Sequence, residues 1–266
     1  MKYGSHPKAR SVGLRLIARA FCALLTASIV VHADSVPEVS APAPGEIVDR
    51  YVSAVQAEQA GVQDLSMEVD IDATLPRLRR SGRLQAFKFI PRLGQIVYRI
   101  IRFEGDETVK RDVIARYLTA EKEARSKLAS TMAITPENYR FKYKGTADWA
   151  GQTAYVFQVT PKQKRLGLFK GELWIDSKTY LPLREWGELV KNPSVFLRNV
   201  YFVRDYYIWE GRSIPRRIIS DVSTRLVGKA QLTIWFNNYA VGERAQQPVA
   251  GGGDSPVGQT NGGQER

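Results

Sequence analysis

Beyond position 33 the chain contains neither histidine nor cysteine. His6, His32 and Cys22, the only residues of these types, all fall in the first 33 positions. Residues 34–266 therefore lack the commonest general base, the thiolate nucleophile and the commonest transition-metal ligands. Ser-His-Asp and Cys-His hydrolases and the usual zinc centres are excluded for them. Carboxylate-only, lysine-based and calcium chemistry stay open. Long apolar runs are also missing. The uncharged segment "AFCALLTASIVV" has 12 residues, against about 20 for a membrane span, and Arg15 and Arg19 cut off any extension. A Gly-Phe aromatic strand motif, a zinc knuckle and helix-turn-helix spacing are all absent, which argues against a nucleic-acid partner.

The start of the chain has a composition of its own. Lys2, Lys8, Arg10, Arg15 and Arg19 are followed by the apolar run and by Val31-His32-Ala33, with no acidic residue among them. This reads as a secretory signal over residues 1–33, cleaved after Ala33, rather than an uncleaved anchor. Arg19-Ala20-Phe21 before Cys22 does not make a lipid-attachment motif. The net charge of +12 falls to +7 when the five basic residues of the leader are removed. For an exported basic chain the matching surfaces are anionic lipid head groups or acidic proteins. A periplasmic location is expected.

Residues 34–45, "DSVPEVSAPAPG", read as a flexible linker and residues 243–266 as a disordered tail. The 46–242 segment between them can bury one large core. Helical spacing of Ile47, Tyr51, Ala54 and Val55 predicts a helix from Glu46 to Ala60, stopped by Gly61. "LSMEVDIDATL" alternates perfectly, and "RLQAFKFI" and "QIVYRIIRF" give two more strands. Then the period changes. "GDETVKRDVIARYLTAEKEARSKL" predicts a helix over 106–128, with Asp106 as N-cap and an apolar stripe at Val109, Val113, Tyr117, Ala120, Ala124 and Leu128. Glu121–Arg125 and Glu123–Lys127 are its supporting pairs. About seven more strands follow, joined by turns short enough to force antiparallel pairing.

Asp176, in "GELWIDSKTYLPLREWGELV", ends one strand just before Ser-Lys-Thr-Tyr and so reads as a turn residue rather than a catalytic acid. Glu68, Asp70 and Asp72 form an acidic row, expected to pair with a neighbouring strand through Arg83. "PKQKRLGLFKG" (161–171) reads as a solvated basic hairpin, with a membrane-dipping apolar tip as the alternative. "NVYFVRDYYIW" is apolar on both faces, which requires both to be covered or one to line a cavity.

"GELWIDSKTYLPLREWGEL" resembles a hairpin of the LolA/LolB/RseB-like superfamily, and "YFVRDYYIWEGRSIPRRI" is similar to the strand pair that follows it there. That superfamily includes periplasmic lipoprotein carriers, their outer-membrane receptor and a periplasmic stress sensor. The resemblance implies an α+β, mainly antiparallel fold. Its sheet would be a strongly curved incomplete β-barrel of about ten strands, with an N-terminal helix and a long inserted helix over the concave face. The carriers' early Arg-Pro strand has no counterpart, so no gating arginine is carried over.

The expectation is a non-enzymatic periplasmic protein that holds an acyl chain, a lipid or a lipoprotein, with no cofactor. Its groove would be lined by Leu65, Met67, Val69, Ile71, Val113, Tyr117, Phe141, Tyr143, Leu232, Ile234 and Phe236. An anionic membrane surface or an envelope protein would be a transient contact. The alternatives are an envelope sensor or scaffold that binds a protein partner through the same sheet, and a carboxylate-dependent hydrolase, which would need two buried acids in one cleft.

Overall fold

Ten antiparallel strands make one sheet, in the order β3-β2-β1-β10-β9-β8-β7-β6-β5-β4. The computed structural model describes residues 42–61, 63–127, 132–192, 197–225, 228–242 and 245. The expected leader, the linker up to residue 41 and the tail other than Ala245 lie outside the described residues. The strands are β1 (Leu65–Leu75), β2 (Arg80–Ile90), β3 (Val97–Gly105), β4 (Tyr139–Trp149), β5 (Gln152–Pro161), β6 (Phe169–Asp176), β7 (Pro182–Leu189), β8 (Leu197–Trp209), β9 (Arg212–Thr224) and β10 (Lys229–Val241). The sheet does not close into a barrel, because β3 and β4 each pair on one side only. The helices α1 (Pro44–Ala60), α2 (Glu107–Val109) and α3 (Ala115–Lys127) complete the order.

Helix α1 begins at Pro44, two residues before the expected start. Proline suits the first helical position, since its missing N–H has no partner to lose there. The expected linker therefore ends earlier than residue 45. Gly61 ends the helix by donating its N–H to the Ala57 carbonyl at 3.0 Å. Strand β2 also starts early. Arg79 takes a left-handed conformation (φ 52°) after the short turn Pro76–Leu78, so Arg80–Gly82 already pair with β1.

Lys110–Ile114 form a π-helical turn that joins α2 to α3 into one inserted helix. Asp106 caps it, accepting from the backbone N–H groups of Thr108 (2.8 Å) and Val109 (3.3 Å). The wide turn corrects the expected stripe. Val109 and Ile114, five apart, are fully buried, and Tyr117 and Leu118 pack beside them. One residue accommodated in the π turn advances the phase of everything after it, which leaves Ala120 exposed. Glu121 leaves the helix surface altogether and bonds to β2 and β3. The side chains of residues 123–127 and residue 128 lie outside the described set.

The turn reading of Asp176 holds. Its Oδ2 accepts from the Thr179 backbone N–H (2.7 Å), the Thr179 hydroxyl (2.8 Å) and the Lys178 N–H (3.2 Å). Arg83 pairs with Asp70 (3.4 Å) and Asp72 (3.7 Å), as the acidic row predicted. In the basic hairpin Leu168 and Phe169 are core residues and Arg165 donates to Asn138, which leaves Leu166 as the exposed apolar residue of that segment.

The outer face of the doubly apolar strand is only partly covered, since its Tyr201 stays exposed. Cross-strand pairing sets Val156, Trp174, Arg184, Asp205, Arg217, Trp235, Asp70, Gln85 and Arg102 in one line. Arg217 binds buried Asp205 at 2.6 Å and lies 5.1 Å from the Trp235 ring, and Arg184 lies 4.6 Å from Trp149. Guanidinium groups on indole faces cover part of this side with contacts worth about 0.5–1 kcal/mol each at exposed sites, while Trp186 and Tyr201 stay exposed.

Candidate functional site

The opposite face of the sheet carries both helices. Its central line, followed through every strand pair, reads Tyr143, Phe157, Leu173, Glu185, Arg204, Ile218, Ile234, Ile71, Leu84, Phe103. Eight of these ten are apolar, and the charged two stand together in the middle. The pair divides the helix-covered face into two apolar territories.

Nine of the eleven expected groove residues meet in the first territory. Met67, Val69, Ile71, Leu232, Ile234 and Phe236 form its buried floor with Ala73, Leu84 and Ala86. Val109 and Ile114 press on it from the inserted helix, and Leu65, Val113 and Tyr117 pack partly buried at its margin. Met67, Ile71 and Ile234 are 0 % exposed, so the helix rests directly on the floor. Phe141 and Tyr143 go elsewhere. They pack on Phe157 in the second territory, whose cover is Ile47, Val48 and Tyr51 of α1. The eleven do not form one group.

The inserted helix is fastened by a polar contact that pattern reading missed. Lys88 sits among inward-facing Leu84, Ala86 and Ile90, and its side chain is only 4 % exposed. Its Nζ reaches Glu121 of α3 at 2.6 Å and lies 5.2 Å from the Phe236 ring centroid. The Tyr98 hydroxyl donates to the same carboxylate. Burial, and then the nearby Glu121 carboxylate, push the Tyr98 phenol far above its ordinary pKa. A lysine at an inward position of an alternating strand was the available signal, because a buried ammonium requires an anion.

The central pair is different in character. Arg204 Nη1 meets Glu185 Oε2 at 3.2 Å, and the guanidinium lies 4.6 Å from the Phe202 ring. Glu185 is 10 % exposed, whereas Arg204 is 43 % exposed although its strand is central in the sheet. Burial opposes the charge on Arg204. Glu185, Tyr206 and Tyr117 together outweigh it and hold the guanidinium above its ordinary pKa. Tyr206, Tyr117 and Tyr51 are all shifted upward, by burial first and by neighbouring charge second. Tyr117 comes from the inserted helix and Tyr51 from α1, so both helices reach this polar seam.

The buried carboxylates stand apart from one another. Glu185 faces the helices and Asp205 the outer face, each paired to an arginine, and Asp176 closes a turn. Among the described residues no three His, Cys, Asp or Glu side chains gather as metal ligands, and no helix is long and apolar enough to cross a membrane.

Residues 106–190 match the family model of the MucB/RseB N-terminal domain. No curated protein matches the chain. Among solved structures it is similar to a DUF1329 family protein from Desulfovibrio piger, with 14% identity over 73% of this chain and 91% of that one and a TM-score of 0.39. It is also similar to a LolA superfamily protein from Nitrosomonas europaea, with 13% identity over 72% and 92% and a TM-score of 0.36. The Pseudomonas aeruginosa MucA/MucB complex matches with 12% identity over 74% and 99% and a TM-score of 0.24. The stretch matched by the family model runs from the cap of the inserted helix through β7, and over that stretch the chain is similar to the MucB/RseB N-terminal domain.

Proposed function

We propose that the chain is an exported, non-enzymatic binding protein that takes an acyl chain, free or attached to a polypeptide, between the inserted helix and the apolar floor of β10, β1 and β2. The observation that carries this reading is the build of the roof. A continuous floor of Met67, Val69, Ile71, Leu232, Ile234 and Phe236 is covered by one amphipathic helix, and the described ion pairs between helix and sheet are Arg80–Asp106 at its cap and Lys88–Glu121 farther along. Lifting that helix exchanges its own Val109 and Ile114 for hydrocarbon of similar character, so the apolar burial is largely conserved. Each methylene buried by a ligand contributes about 0.8 kcal/mol. The residues named from the sequence as groove lining keep that role here for the nine in this territory. The separate placement of Glu185 and Asp205 supports the absence of hydrolytic chemistry.

The test is to purify the chain from its native envelope and analyse co-purified lipid by mass spectrometry. About one acyl lipid per chain is expected. A chain that is consistently empty and binds no fluorescent fatty acid would overturn the proposal.

A second reading, an envelope sensor or scaffold that binds a protein partner, is favoured by the match of residues 106–190 to the MucB/RseB domain. One solved relative is MucB in complex with MucA(peri). Cross-linking in the envelope separates the two readings. A stoichiometric protein partner without lipid supports this one.

A further inference from the structure

The sheet ends on β4, and among the described residues no strand lies on its far side. Unpaired edges are normally blunted, because their free N–H and C=O groups recruit other strands. The two ends of this sheet carry different side chains, and β3 exposes Val97, Ile100 and Ile101. On β3, Arg102 is neutralised by Glu104 and Arg99 lies over the Phe87 ring at 5.4 Å. On β4, Arg140, Lys142 and Lys144 are all exposed and make no salt bridge among the described residues. This edge is not closed to every strand. It repels basic ones and attracts acidic ones.

A second feature sits at the same edge. An open cavity of about 350 Å³ lies where β4 begins, walled by Val48, Pro136, Phe141, Tyr143 and Phe157. Arg140 and Lys162 stand at its rim, with Asp49 as the one acid lining it. Glu137 also lies near and feels the charge of Lys162. The cavity is apolar enough for a bulky side chain, and the bulge after Tyr143 sets the first half of the strand, beside the cavity, off from the second.

We propose that the β4 edge binds an extended acidic segment of another polypeptide, which adds as a further strand over Tyr139–Tyr143 and places an apolar side chain in the cavity. The period of a strand dictates the motif. Acidic residues two apart would oppose Arg140 and Lys142, and the residue between them would face Phe141 and the cavity. This is strand addition, in which backbone hydrogen bonds supply affinity and alternate side chains supply specificity. It uses neither the inserted helix nor its floor and goes beyond the acyl-binding reading.

The experiment titrates the full chain into a fluorescein-labelled decapeptide that alternates glutamate with valine around a central leucine. Saturable anisotropy is expected, weakening about tenfold as salt rises from low to several times physiological strength. Three comparisons decide it. The lysine counterpart of the peptide should not bind. A peptide with alternate backbone N-methyl groups keeps the charge but cannot form a ladder, and should bind at least about tenfold more weakly. The double variant Arg140→Glu/Lys142→Glu should lose about tenfold or more while its circular dichroism and thermal midpoint stay unchanged, since both side chains are exposed. Lys162→Glu, across the cavity, should give a smaller loss and stands in if the double variant folds poorly. Equal binding of the N-methylated or the lysine peptide would overturn the proposal. So would a peptide that fails to bind while phosphatidylglycerol vesicles retain the chain through Arg140 and Lys142, which would make the edge a membrane contact.

Discussion

The two territories of the helix-covered face are built from different materials. Under α1 half of the buried core residues are aromatic. Tyr139, Phe169 and Phe202 meet at steep angles, with the Phe169 and Phe202 ring centroids 4.9 Å apart at 80° and the Tyr139 hydroxyl accepting the Phe169 backbone N–H at 3.2 Å. Under the inserted helix the core is mostly aliphatic, and its roof is tied down by a buried Lys88–Glu121 pair. Ring-on-ring packing has directional demands that a guest cannot meet, whereas aliphatic side chains accept other hydrocarbon with little loss of specific geometry. On this account the territory under α1 holds the sheet, and the territory under the inserted helix is the one proposed to bind.

The largest expected effect falls on the aromatic side. Gly171 and Gly187 face each other on β6 and β7, and a methyl group on Gly171 would overlap the Trp186 carbonyl oxygen. Gly171→Val should leave little folded protein, a loss of about 3 kcal/mol or more, read by urea unfolding. A native-like transition would show that this half is not the rigid one.

Next come matched cavities. Ile71→Ala in the aliphatic floor and Leu173→Ala in the aromatic half remove side chains that are both 0 % exposed. Each should cost about 2–5 kcal/mol. Added fatty acid should restore part of the thermal midpoint for Ile71→Ala and none for Leu173→Ala. Equal rescue, or none, would erase the distinction between the halves.

A pH titration tests both halves at once. Burial raises the Tyr139 phenol from 10.0 to about 12 in the aromatic half, and Tyr98 and Tyr117 are raised on the other side. A pKa raised by folding contributes stability that is complete below the unfolded value and lost as pH climbs through the folded one. Stability should be flat up to about pH 9 as far as these groups are concerned and should then fall, from pH 10 to 12 for Tyr139. Phenolate absorbance should show a set of tyrosines that ionises late or only with unfolding. Full ionisation near the ordinary value in folded protein would contradict it.

The smallest effect is expected at the seam. Arg204 is 43 % exposed, so water screens its pair with Glu185, and Arg204→Met or Glu185→Met should each cost only about 1 kcal/mol. The double replacement should recover that loss or exceed it, as measured by thermal unfolding. A much larger loss in either single variant would mean that the seam holds the two territories together.

Much of this was legible along the chain. The perfect alternation of "LSMEVDIDATL" marks β1 at the bounds it has, and Asp106 and Asp176 act through hydrogen bonds to residues two and three positions on. Local pattern contains that information. It does not contain the π turn, which changes no residue type yet moves the buried stripe from Ala120 toward Ile114 and Leu118. Nor does it contain the partners of Lys88 and Arg204. Glu121 is 33 residues from Lys88, and Glu185 is 19 from Arg204. They meet only once strand order and register are set. The eleven groove residues were chosen by face alone, and a face does not reveal that two charges interrupt it halfway across the sheet.

The most direct test of the opening roof is Glu121→Gln, followed by unfolding and by fluorescent fatty acid binding on the same preparation. The glutamine keeps a partner for Tyr98 and deprives Lys88 of its counter-charge. The account predicts opposite signs: stability falls by about 3 kcal/mol, and affinity for the acyl chain rises because the open form is more populated. Lower stability with weaker or unchanged binding would contradict it.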